Sequence, residues 1–134
     1  MDVFGYFDDR EREALEVSGN LRAFSAAAEE GSADQRGRLI GEVDLTDTAY
    51  VQFHEIVHVE GTGITRERYA YFLVVDGQEI GGFERDPMHL DESVHMHCAI
   101  LHGHDVRFPA ETVSFKAAIT MAWEYLSTGR APAC

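Results

Sequence analysis

Cysteine is almost absent from this chain. Cys98 and Cys134 stand far apart, one inside a histidine-rich segment and one at the last residue, which is no disulfide framework; two free thiols are the expectation. Basic residues are also scarce: 11 Lys and Arg face 24 Asp and Glu, a net charge of −13 at pH 7. Such a field repels polyanions unless a local basic patch overcomes it, which argues against tight nonspecific nucleic-acid binding. The acid is spread along the chain without a single-sign tail. It suits solubility first and a basic protein partner second. No stretch approaches the roughly 20 apolar residues of a membrane span, so no membrane association is expected. The N-terminus, Met1-Asp2-Val3-Phe4-Gly5-Tyr6-Phe7-Asp8-Asp9, has no basic leader followed by an apolar run, and the cytoplasm is the expected compartment. No internal repeat or low-complexity tract is visible.

The 134 residues suit one ordinary domain, long enough to bury roughly two thirds of the surface of the unfolded chain without help from a disulfide or metal. A hydrophobic fraction of 45%, with eight Phe, five Tyr and one Trp, is enough for a packed core. Residues 8–30 read as a helical N-terminal extension within 1–37. Asp8 or Asp9 can cap it, Ala14, Leu15, Val17, Leu21, Phe24 and Ala28 recur at three- and four-residue spacing, Gly19-Asn20 is a potential break, and Gly31 can end it. From Leu39 to Asp86 the period changes to that of strands: Leu39–Leu45, Tyr50–Glu60, Tyr69–Val75 and Gln78–Phe83, the last two joined by the hairpin turn Asp76-Gly77. A fifth extended segment is expected at Val94–Leu101 or Asp105–Phe108. Pro109 suits the first turn of a helix over 110–127, in which Phe115, Ala118, Ile119, Ala122, Trp123 and Leu126 form a stripe and which Gly129 closes. The fold class is α+β, an antiparallel sheet of four to five strands with a helix before and after it.

Chemistry concentrates in the histidines. His89, His95, His97, His102 and His104 are five of the seven in the chain, and imidazole exchanges protons or binds metals near neutral pH. On an extended chain His95 and His97 project to one side, and His102 and His104 repeat the arrangement. Three uses fit: a divalent metal bound by His95, His97, His102 and His104, with Asp105 and His58 as companions; acid and base on a phosphodiester, with Arg85 or Arg107 beside the phosphate; or a surface cluster without a role. His54-Glu55-Ile56-Val57-His58 matches the zinc-protease pattern His-Glu-x-x-His, which requires a helix. Val51, Phe53, Val57 and Val59 alternate around it, so it reads as a strand in which the two imidazoles stand about 13 Å apart. The same alternation turns Glu55 toward the apolar face, where a carboxylate wants an arginine or histidine beside it or serves to orient a histidine from the next strand.

From Glu42 onward the chain resembles the TumE family of small toxins of type II toxin–antitoxin systems. The likeness runs through Val43-Asp44-Leu45, Val51-Gln52-Phe53-His54-Glu55, Arg68-Tyr69-Ala70-Tyr71, Asp76-Gly77-Gln78-Glu79-Ile80 and Val94-His95-Met96-His97, over roughly residues 40–100. It implies a strand with an inward glutamate, a tyrosine-bearing strand, a histidine-rich turn and a helix. It also implies a toxin that acts on RNA as a metal-independent endoribonuclease, with no cofactor. Its partner would be a cognate antitoxin protein, and it has room for a homodimer. His95 and His97 would be acid and base, His89 an accessory, Glu55 an orienting carboxylate and Arg85 a phosphate contact, with Tyr69, Tyr71 and Arg107 binding substrate. Where the family reads Arg-Tyr-Asp-Asn this chain has Phe83-Glu84-Arg85-Asp86, and Met96 stands where lysine is usual. Both changes lower the local positive charge. Two other classes remain open: a metal-binding small-molecule enzyme or sensor, and a noncatalytic module whose acidic surface binds a basic partner. The N-terminal helix lies outside the resemblance and reads as a docking element, a cap over the site, or a packed extra helix.

Overall fold

A computed structural model describes residues 2–17, 20–28, 35–61, 63–86, 94–97, 108–109 and 112–129. Helix α1 (Val3–Val17) is followed by strands β1 (Leu21–Ala28), β2 (Arg36–Thr46), β3 (Ala49–Glu60), β4 (Gly63–Val75), β5 (Gln78–Arg85), β6 (Val94–His97) and β7 (Phe108–Pro109). Helix α2 (Phe115–Thr128) ends the order. The strands form one sheet in sequence order, every neighbouring pair antiparallel. The class is α+β, as the periodicities imply.

The long central strands obey strict alternation. Val51, Phe53, Glu55, Val57 and Val59 of β3 are buried, and the residues between them are half-buried or exposed. Across the register, Leu39 and Val43 of β2 and Tyr69, Tyr71 and Leu73 of β4 join the same face. Both helices lie on that face. Val3, Tyr6, Phe7 and Ala14 of α1 and Phe115, Ala118, Ile119 and Ala122 of α2 complete a single core, with the Phe115 ring set edge-on to Phe53 at 4.9 Å. Asp76 and Gly77 both take positive φ (52° and 77°), the geometry of the two-residue hairpin expected between β4 and β5.

The sheet is wider than the sequence reading, and both additions come from segments read as helix or as alternatives. Residues 8–30 do not form one helix. Asp2, rather than Asp8 or Asp9, caps α1, its Oδ1 accepting from Gly5 N–H at 2.8 Å, and the buried stripe is Val3, Tyr6, Phe7 and Ala14, whereas Leu15 is half exposed. The helix ends at Val17. Leu21–Ala28 then pairs with β2, so the stretch 1–37 is not a helical extension: a ladder with β2 outweighs the helix preference of its alanines. Both candidates for a fifth segment contribute strand, as β6 and the short β7. Pro109 accordingly lies at the sheet edge opposite His95, where its missing N–H costs little, and not in a helix turn. Helix α2 starts instead where Ser114 caps it, Oγ accepting from Ala117 N–H at 3.1 Å. Gly129, at φ 72°, closes it as expected. No helix among the described residues is long and apolar enough to cross a membrane.

Helix α1 crosses β2 directly over Gly37. A Cβ there would stand 2.4 Å from Val3 Cγ1 and 2.8 Å from Phe7 Cζ. Gly37→Val is expected to push α1 off the sheet and cost about 1–3 kcal/mol by urea unfolding, the range for overpacking a closed contact. An unchanged midpoint would mean that the helix does not seat there.

Candidate functional site

Glu55 is 0% exposed in the middle of β3, between Leu39 and Tyr69 on the neighbouring strands. Two tyrosines satisfy its carboxylate. The Tyr6 hydroxyl lies 2.7 and 2.9 Å from its two oxygens, and the Tyr71 hydroxyl donates to Oε1 at 2.9 Å. Arg66 stands one step further out, donating from Nη1 to Tyr71 Oη at 2.8 Å and to the Val113 carbonyl at 2.6 Å. Its guanidinium also lies 4.4 Å from the centre of the Tyr69 ring, which stacks on Tyr71 at 5.0 Å; the Tyr69 hydroxyl accepts from Val113 N–H at 3.1 Å. Arg10 lies over the Tyr6 ring at 4.6 Å.

Burial pushes the Glu55 pKa above the ordinary carboxylate value, against the pull of the Tyr6 and Tyr71 hydrogen bonds and of the Arg66 and Arg10 charges. Burial and the neighbouring carboxylate push Tyr6 and Tyr71 upward as well, so both keep their protons and remain donors. Arg66 reaches this group through a bulge. Ile56 pairs with Arg68 but Val57 pairs with Arg66, leaving Glu67 as an extra residue that turns Arg66 to the helix side.

The other face of the sheet carries different chemistry. One row runs across the strands through Ile40, His54, Ala70, Glu84 and His95, and ends at Pro109. His97 follows in the next row on the same side, opposite Gly82, while Val94 and Met96 pair with Arg85 and Phe83 in the helix-side rows. His54 is half-buried in this face. Its imidazole is held below the usual 6.5 by burial and by the charges of Arg38 and Arg68. Arg68 also donates to Asp86 Oδ1 at 2.7 Å.

Several expected assignments change. The backbone register puts His95 and His97 in rows that alternate with that of Glu55, whose carboxylate has the hydroxyls of Tyr6 and Tyr71 as its hydrogen-bond partners among the described residues. Tyr69 and Tyr71, expected to bind substrate, are 0% and 2% exposed and hold the core. Arg85 pairs with Tyr69 in a helix-side row, away from the rows of His95 and His97, and so is poorly placed to neutralise a phosphate there. His54 and His58 lie on a strand, as the alternation indicates, and His58 Nδ1 sits 3.2 Å from Glu60. His89, His102, His104, Asp105, Arg107, Cys98 and Cys134 fall outside the described residues. Among the described residues no group of three or more His, Cys, Asp or Glu is placed to hold a metal. Sequence reasoning missed Tyr6 and Arg66: the first lies 49 residues from its partner, and the second is turned inward only by the bulge.

Compared with models of known families, with curated proteins and with solved structures, the chain matches none.

Tyr6→Phe is expected to destabilise the fold by about 1.5–3 kcal/mol, because it takes a donor from a buried carboxylate. An equilibrium urea titration measures it, and a loss below a few tenths of a kcal/mol would show that Glu55 does not depend on Tyr6. The raised Glu55 pKa has a definite sign. The folded chain keeps the proton at pH values where the unfolded chain, near 4.5, has lost it, so this contribution to stability declines as pH rises through the folded value. Glu55→Gln has no such proton. As pH rises from 4.5 through the folded value, the stability of wild type relative to Glu55→Gln should therefore fall, and a difference independent of pH above 4.5 would count against the raised value.

Proposed function

We propose that the chain is the toxin component of a toxin–antitoxin pair and acts on RNA as a metal-independent endoribonuclease, with His95 and His97 as acid and base. The observation that carries this reading is the register of β6. Two histidines, two residues apart on a strand, pair with Glu84 and Gly82 in cross-strand rows that alternate with the row of Glu55. The element order supports it too: an inward Glu55 on β3, tyrosines on β4, histidines on β6 and then α2 follow the pattern implied by the TumE resemblance.

The chemistry needs only proton transfers and a nearby cation. A neutral imidazole takes the 2′-hydroxyl proton, the 2′-oxygen bonds to phosphorus, the bond to the 5′-oxygen breaks, and an imidazolium protonates that leaving oxygen. The products are a 2′,3′-cyclic phosphate and a free 5′-hydroxyl. Glu55 and Arg85 do not touch the substrate on this reading; Glu55 holds α1 on the sheet, which makes α1 a packed helix and not a cap over the site. The partner is an antitoxin protein.

Two measurements test it. Induced expression should arrest bacterial growth for the wild type but not for His95→Ala/His97→Ala at equal soluble level. Purified wild type should cleave RNA in EDTA to cyclic-phosphate ends, at least about 100-fold faster than the double variant. Cleavage lost in EDTA and restored by a divalent ion would move the histidines to the metal-binding reading. Absence of both arrest and cleavage would sink the proposal.

A further inference from the structure

Arg38, His54 and Arg68 gather on the face of the sheet away from the helices. Arg38 of β2 and Arg68 of β4 are the two cross-strand partners of Ile56, and His54 is the next residue of β3 on that side. With strands about 4.8 Å apart and alternate residues about 7 Å apart along a strand, the three Cα atoms lie within about 10 Å of one another. Arg38 is exposed, and His54 and Arg68 are half-buried. In a chain with 24 acidic and 11 basic residues, two arginines thus flank one imidazole.

Among the described residues, the charged and titratable groups facing His54 are Arg38 and Glu42 of β2, Arg68 of β4, Glu84 of β5 beyond Ala70, and His58 on its own strand. Glu42 is engaged by Arg22 at 2.9 Å, and His58 is drawn to Glu60. Arg68 commits Nη2 to Asp86, which leaves other N–H groups of its fork. The charges that act on His54 are those of the two arginines, and together with burial they keep the ring neutral at pH 7. Two guanidiniums around a neutral imidazole offer donors from three sides and suit an anion.

We propose that Arg38, His54 and Arg68 form a seat for a backbone phosphate of single-stranded RNA. This rests on the RNA-cleaving reading and supplies that face with the cations that Arg85 does not. His54 and His95 are three strand spacings apart in one row, about 14 Å, so the seated phosphate is a neighbour of the scissile one and not the scissile one itself. The seat therefore positions the strand, and its loss acts on KM and leaves kcat nearly unchanged.

The test uses the full chain and a 2′-O-methyl oligoribonucleotide, which has no 2′-hydroxyl to attack. Binding is followed by anisotropy at several salt concentrations, and cleavage of the unmodified oligonucleotide is followed in parallel. Arg38→Gln should weaken binding about 3- to 10-fold and lower the salt slope by about one, with a raised KM, an unchanged kcat and an unchanged melting temperature. In the wild type, NMR should show the His54 pKa rising when the oligonucleotide binds, because an adjacent anion favours the imidazolium. Arg38→Gln with unaltered affinity and salt slope, in a protein that still cleaves RNA, would overturn the seat and leave the nuclease reading standing. Binding that depends on Arg38 and raises the His54 pKa in a protein that does not cleave would support the seat and sink the nuclease reading. A wild type that neither binds nor cleaves overturns both.

Discussion

A carboxylate without solvent, at the centre of a β-sheet, sets the terms for the rest of this molecule. Removing an ion from water costs several kcal/mol even after relaxation, and the cost is met only where donors converge with good geometry. The donors to Glu55 come from distant parts of the chain: Tyr6 from α1 and Tyr71 from β4. Arg66 backs Tyr71 and reaches the carbonyl of Val113, whose N–H meets Tyr69 just before α2 begins. One buried carboxyl group thus ties both helices to the central strands. Helix α1 is held on the sheet by Tyr6 at Glu55 and by the close approach of Val3 and Phe7 to Gly37, and on α2 by Trp123 Nε1 donating to the Val17 carbonyl at 2.8 Å.

That commitment divides the labour of the sheet. Among the described residues the helix side is filled by aromatic rings and by the network around Glu55. The opposite side keeps half-buried and exposed polar groups together with Ile40, which is 43% exposed. Residues next to each other in sequence, such as His54 and Glu55, belong to different chemical worlds because a strand sends them to opposite faces.

Some of this was legible beforehand. Alternation through Val51–Val59 identifies β3 and the inward aim of Glu55, Asp76-Gly77 marks the turn between β4 and β5, and the stripe from Phe115 to Ala122 marks α2. These signals are local, and local periodicity is what one sequence carries. Strand β1 was hidden because Ser25-Ala26-Ala27-Ala28 favours helix until β2 lies beside it. The histidine cluster is obvious in the sequence, but the rows of His95 and His97 are not: these depend on the register of β6 against β5 and of β5 against β4. His54 stood out only as half of a zinc motif, and nothing in the sequence sets Arg38 beside Arg68, since a third strand joins them.

The extra residue in β4 divides that strand into two phases. Beyond Glu67 the odd positions Tyr69, Tyr71 and Leu73 look toward the helices; before it the even positions Ile64 and Arg66 do. Substitutions tolerated along the strand should therefore follow opposite parity on its two sides. Arg66 and Tyr71 are five residues apart, so in a flat strand of the same length one of them would turn to the wrong face; the extra residue lets both look toward the helices. The irregularity of this strand is itself part of what keeps Glu55 dissolved in protein rather than in water.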